Sequence, residues 1–197
     1  MVVACVLSTL VTRLFEQQRF VPALTAPFVL ITWAMLLLGH IFPQLQLPAT
    51  TAADTAESFS LMRAVLLSFG QIMLQGNNLL TGLLFFLAIC VNSRKMGMES
   101  LVACVLCLAV VCVPFVSTTS VNNGMYGYNA ILAVLAVANI LGIGTCTYVK
   151  ALVALILSLL MQYAGLRMGI VTLTAPFVLS VWLVALYQTF IVKTKQD

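Results

Sequence analysis

Apolar residues in this chain come in long unbroken runs, and charged residues fall only between them. No Asp, Glu, Lys or Arg occurs in Val21–Ala53, Ala64–Ser93, Ser100–Val149, Ala151–Leu166 or Met168–Val192. The runs are continuous rather than alternating at period two, so they predict helices and argue against a β-barrel. The pattern predicts apolar helices over residues 24–40, 62–91, 100–116, 125–143, 148–164 and 170–192. A helix needs about 20 residues to cross the hydrocarbon core of a bilayer, and each run is long enough for at least part of a crossing.

Two of the runs are interrupted. Residues 62–91 would form a helix about 45 Å long at 1.5 Å per residue, too long for one upright span. Its middle reads Gln75-Gly76-Asn77-Asn78, a turn-prone polar cluster, which predicts two helical pieces with a bend between them. The second break is Asn122-Asn123-Gly124, followed by Tyr126-Gly127-Tyr128-Asn129, and it opens the run 125–143. Polar backbone at membrane depth is tolerated only where it lines a cavity or is covered by protein.

The chain also repeats itself. Leu24-Thr25-Ala26-Pro27-Phe28-Val29-Leu30 recurs unchanged as Leu173-Thr174-Ala175-Pro176-Phe177-Val178-Leu179, and Trp33 and Trp182 keep the same register. The first copy leaves a segment bearing Arg13 and Arg19 and runs toward Asp54 and Glu57, whereas the second runs toward Lys193 and Lys195. Positive charge favours the inner side, so the two helices are expected to point in opposite directions, with Arg94 and Lys95 inside and Arg167 a minor exception. Identical helices of opposite orientation imply an inverted-topology repeat, an architecture common in transporters. The plainer alternative is a duplication without a transport role.

Composition narrows the class further. Hydrophobic residues make up 62% of the 197 and charged residues 7%, against about 25% charged in a soluble domain. The reading is therefore an all-α polytopic membrane protein. The net charge of +4 does not point to nucleic acid, because the basic residues sit at the ends of apolar runs, where they anchor helices at the interface. Cys104 and Cys107 form a CxxC, but no second pair follows and no histidine is near, so the six cysteines read as packing residues rather than metal or redox groups. His40, the only histidine, falls at a helix end, which argues against a proton relay. No span holds a nucleophile–base pair or a metal-ligand cluster, so neither an enzyme nor a cofactor is expected. The opening MVVACVLSTLVTRLF lacks a basic n-region and is too short to span, and reads as the end of a helix begun elsewhere.

The polar residues inside the runs carry the chemistry. In Thr-Ala-Pro-Phe, proline removes a backbone donor and disfavours helix just before it, so a helix starting or kinking there leaves carbonyl oxygens without partners. Thr25 and Thr174 add a hydroxyl at that level, and in an inverted pair the two could face each other. Equally, each could cap its own helix and bind nothing. Gln71 stands in an apolar run, where a buried amide needs a partner or a cavity. Asn77, Asn78 and Asn129 are expected to support the backbone at the breaks. Ionisable groups are absent deep in every span, which disfavours an ion-coupled pump and suits a small neutral polar solute.

Taken together, these residues resemble the urea transporter family. Gln71 followed by Asn77-Asn78 and Thr81-Gly82, then Gly124-Met125-Tyr126-Gly127-Tyr128-Asn129-Ala130, then the Leu-Thr-x-Pro-Phe helix are similar to that family in content and order. The resemblance covers essentially the whole chain, as the end of a first repeat (1–41), a loop (42–61), a complete second repeat (62–192) and a cytoplasmic tail (193–197), an N-terminally truncated form of the fold. It implies a narrow pore between the halves of each protomer, usually in a homotrimer in a cell membrane (plasma or bacterial inner). Thr25 and Thr174 would form its constriction, Gln71 a ladder-end or slot amide, Tyr128 and Leu132 slot walls, with Phe28 and Phe177 beside the threonines. Leu79 departs from the family, which commonly has proline there, and Gln71 stands six residues before Asn77, one more than expected. The function implied is passive passage of urea. Passage of another small neutral solute (ammonia, water, a short amide), or a non-conducting partner subunit, are the alternatives.

Overall fold

The structure is a computed structural model that describes residues 2–17, 21–42, 44, 58–114, 116–141 and 146–194. Arg19, Asp54, Glu57 and Lys195, from which the opposite orientations are read, lie outside the described residues, as does most of the loop 42–61. Among the described residues the chain is all-helical: α1 (Val2–Gln17), α2 (Ala26–Ile41), α3 (Leu61–Ile72), α4 (Leu79–Asn92), α5 (Arg94–Leu108), α6 (Thr118–Asn122), α7 (Gly127–Asn139), α8 (Thr147–Arg167) and α9 (Ala175–Thr194). A 3₁₀ turn, Ala109–Cys112, extends α5. Among the described residues two stretches, Arg94–Cys112 and Thr147–Arg167, are long and apolar enough to cross a membrane. Leucines, valines and methionines cover much of the outer surface, among them Val91, Met62, Leu160 and Leu37. A soluble monomer seldom exposes so wide an apolar face.

Both interruptions fall where Gly and Asn break the apolar pattern. α3 ends with Leu74 in the left-handed region, φ 58°, and the Leu74 and Gln75 amides donate to the Gln71 and Gly70 carbonyls. That is a Schellman ending with leucine at the position glycine usually takes. Asn78 then starts α4, its side-chain oxygen accepting from the Leu80 and Thr81 amides. α6 ends the same way on Gly124, φ 73°, with Gly124 and Met125 donating to Val121 and Ser120. Here glycine is required twice over, because a β-carbon on Gly124 would lie 2.4 Å from the Ser68 amide. α7 follows, with 13 residues and so about 20 Å of length. That is too short for a crossing.

α7 is the centre of the molecule. Small residues along it, including Ala130, Ala133, Ala136 and Val137, are buried among α3, α5, α8 and α9. Gly127 lets α7 approach α3, since a β-carbon there would meet the Ser68 hydroxyl at 2.0 Å. Asn122 fastens the beginning of α3 to α6, accepting from the Ser60 amide at 2.9 Å and donating to the Ser58 carbonyl at 2.9 Å. Cys104 and Cys107 are both buried, and the Cys107 thiol donates to the Cys104 carbonyl, so they sit as packing residues on α5. α5 begins at Arg94, earlier than the apolar run, because Ser93 caps it by accepting from the Met96 amide. Glu99 thereby enters α5 as an acidic side chain, held by the Asn139 amide, the Tyr148 hydroxyl and Lys95.

Candidate functional site

The two Thr-Ala-Pro-Phe segments build the same turn. Leu24 and Leu173 both adopt left-handed backbone, φ 47° and 49°. A left-handed leucine costs about 1–2 kcal/mol, so the repeated conformation is held by its surroundings. The next turn closes in parallel: the Ala26 amide donates to Ala23 and the Ala175 amide to Thr172. Each helix starts at the alanine, with its proline in the first turn, where the missing N–H has no helical partner to lose.

These turns meet. The Thr25 and Thr174 hydroxyls lie 2.8 Å apart, within hydrogen-bond distance. Thr25 makes no side-chain capping bond to its own helix, so of the two readings open for that residue, the cap gives way to the cross-copy contact. The tryptophans exchange partners in the same sense. Trp33 Nε1 donates to the Val171 carbonyl at 2.7 Å, and Trp182 Nε1 donates to the Pro22 carbonyl at 2.8 Å. Donor and acceptor of one bond both map onto those of the other by the 149-residue offset of the threonines. Trp182 also packs on Phe15, ring centroids 5.5 Å apart.

A cavity of 340 Å³ opens beside the second turn, lined by Gln71, Met125, Tyr128, Leu166 and residues 169–173. Gln71 Nε2 donates to the Asn123 carbonyl at 3.1 Å, joining the two chain breaks at the cavity wall. The Tyr128 hydroxyl donates to the Leu173 carbonyl. Leu132, one turn further along α7, is half-buried and packs against the core instead of lining this cavity. Phe177 is in the buried core, while Phe28 faces outward, and neither lines it. Asn77 is exposed on the connection between α3 and α4 and Asn78 caps α4, whereas Asn129 lies fully buried within α7.

Sequence reasoning expected orphan carbonyls at the Thr-Ala-Pro turns, and the structure differs for residues 22, 23 and 171–173. The carbonyls of Pro22 and Val171 accept from indoles, those of Ala23 and Thr172 from helix-start amides, and that of Leu173 from Tyr128 and Asn129. The physical reason is that indole, phenol and amide donors stand within reach of the turns. Gln162, buried in α8 and bonded to Asn129, was not singled out by the sequence. A single amide in a long helix is its only signal.

Among the described residues, an all-helical body with a wide apolar outer surface and two like turns meeting at their threonines fits a membrane protein. The family model for urea transporters matches residues 1–189, and the chain belongs to the urea transporter family. No curated protein matches the sequence.

Proposed function

We propose that this chain forms a passive pore for urea, with the Thr25–Thr174 pair as its midpoint and the two Thr-Ala-Pro-Phe helices as an inverted pair. The hydroxyl contact of 2.8 Å carries this reading. Family membership and the charge-free surroundings support it. The hydroxyls close on one another, so a passing solute must take the place of their mutual bond. A net hydrogen bond is worth about 0.5–1.5 kcal/mol, so the exchange is cheap for a molecule able to bond both hydroxyls. Urea is flat and neutral, with N–H donors and a carbonyl acceptor, and suits that exchange. An ion would lose its hydration shell with no charge to replace it. Gln71 and Tyr128 form one approach to the midpoint. On the family's pattern the protomer works in a homotrimer in a cell membrane.

A second reading has its own observation: among the described residues the outer stripe of α2 is uncovered, whereas the matching stripe of α9, which packs on α7 and α8, is buried. In that reading the chain conducts only with another polypeptide segment seated on α2. Liposome flux separates the two. Saturable urea flux from the chain alone, indifferent to ionophores, is expected from the first reading. Flux tied to a proton or sodium gradient would overturn passive permeation, and flux appearing only with an added partner supports the second.

A further inference from the structure

Beside the Leu173–Thr174 turn lie two side-chain amides that do not line the 340 Å³ cavity. Asn129 of α7 is 0% exposed and Gln162 of α8 is 1% exposed. Asn129 Nδ2 donates to Gln162 Oε1 at 3.0 Å and to the Leu173 carbonyl at 3.2 Å. An amide nitrogen has two hydrogens and a carbonyl oxygen two lone pairs. Both Asn129 hydrogens are therefore committed. The Leu173 oxygen, which also accepts from Tyr128, is saturated. On the other side of the pair, Asn129 Oδ1 and Gln162 Nε2 are buried without a hydrogen-bond partner among the described residues. Unpaired buried amide atoms are costly, so the pair is a poor arrangement for stability alone.

We infer that Gln162 is a positioning residue for the constriction: it holds Asn129, Asn129 holds the Leu173 carbonyl, and the fixed left-handed turn aims the Thr174 hydroxyl. The inference rests on the permeation reading for its consequence. With its oxygen saturated, Leu173 is withdrawn from the solute path, and the threonine hydroxyls are the acceptors at that level. The residue that corresponds to Gln162 by the offset is Arg13, exposed on α1.

Gln162→Met keeps the length and removes the acceptor, while Gln162→Glu keeps a carbonyl oxygen for Asn129 whether ionised or not. Hydrogen exchange of the 172–175 amides and the ratio of urea to methylurea flux per folded molecule are measured on both. Gln162→Met is expected to speed exchange at these amides about tenfold, the worth of one buried hydrogen bond, and to change the flux ratio. Gln162→Glu should restore both, and in a Thr174→Val background Gln162→Met should leave flux unchanged. Wild-type exchange and ratio in folded Gln162→Met would overturn the inference, as would a loss confined to the yield of folded protein. Should Gln162→Met not fold, Gln162→Ser serves with the same expected outcomes. A wild-type chain without urea flux would defeat the permeation reading, and exchange would still decide whether Gln162 positions the turn.

Discussion

α2 and α9 begin with one sequence and end in two environments. Both start at the alanine after a left-handed leucine and a threonine, both place that threonine against the other copy, and both send an indole to the opposite turn. They part along one stripe. Phe28 is 38% exposed where Phe177 is 4%, Met35 55% where Val184 is 5%, and Leu36 48% where Ala185 is 7%. The stripe on α9 is buried, α9 packing on both α7 and α8, whereas α2 packs on α1 and α9. The backbone of the motif is thus encoded locally, while its burial is set by what the rest of the chain brings alongside.

Mutating matched positions breaks the comparison most sharply at the phenylalanines. Phe177→Ala should cost about 3–5 kcal/mol as a core truncation, and Phe28→Ala less than about 1 kcal/mol, measured by thermal unfolding in detergent. Equal losses would mean that the stripe of α2 is covered as well. The threonines test the opposite expectation, that the copies act alike. Thr25→Val and Thr174→Val should each lower urea flux about tenfold, or about 1.4 kcal/mol, with a smaller change in stability. Equal flux in folded Thr174→Val would remove the threonine from the path. The tryptophans give the smallest effects. Trp33→Phe and Trp182→Phe should each lose about 0.5–1.5 kcal/mol of stability, Trp182→Phe the more because its indole also packs on Phe15. A neutral Trp182→Phe would mean that the Pro22 carbonyl finds another donor.

Much of this was legible in the residues. Gln75–Asn78 and Asn122–Gly124 announced the breaks, because glycine and asparagine side by side form a turn-prone polar cluster within an apolar run. The identical heptads announced the paired turns. Other features gave no sign. Leucine is not a residue type that signals positive φ, so Leu24, Leu74 and Leu173 passed as helix formers. The tryptophan register was visible, but not that each indole reaches the other copy's carbonyl. The resemblance names Tyr128 and Leu132 alike as slot walls; Tyr128 lines the 340 Å³ cavity and Leu132, on the same helix, packs toward the core, a distinction of helix phase that apolar composition does not encode. Gln162 and Asn129 became a pair only through the packing of α7 on α8.

Disulfide trapping of the two copies puts the most direct question. With the native cysteines replaced, Thr25→Cys and Thr174→Cys combined should cross-link on oxidation, since the native hydroxyls already lie 2.8 Å apart. The bond should abolish urea flux, and reduction should restore it. A formed cross-link that leaves urea flux intact, or a folded chain that never cross-links, contradicts a pore whose midpoint is the meeting of these two helices.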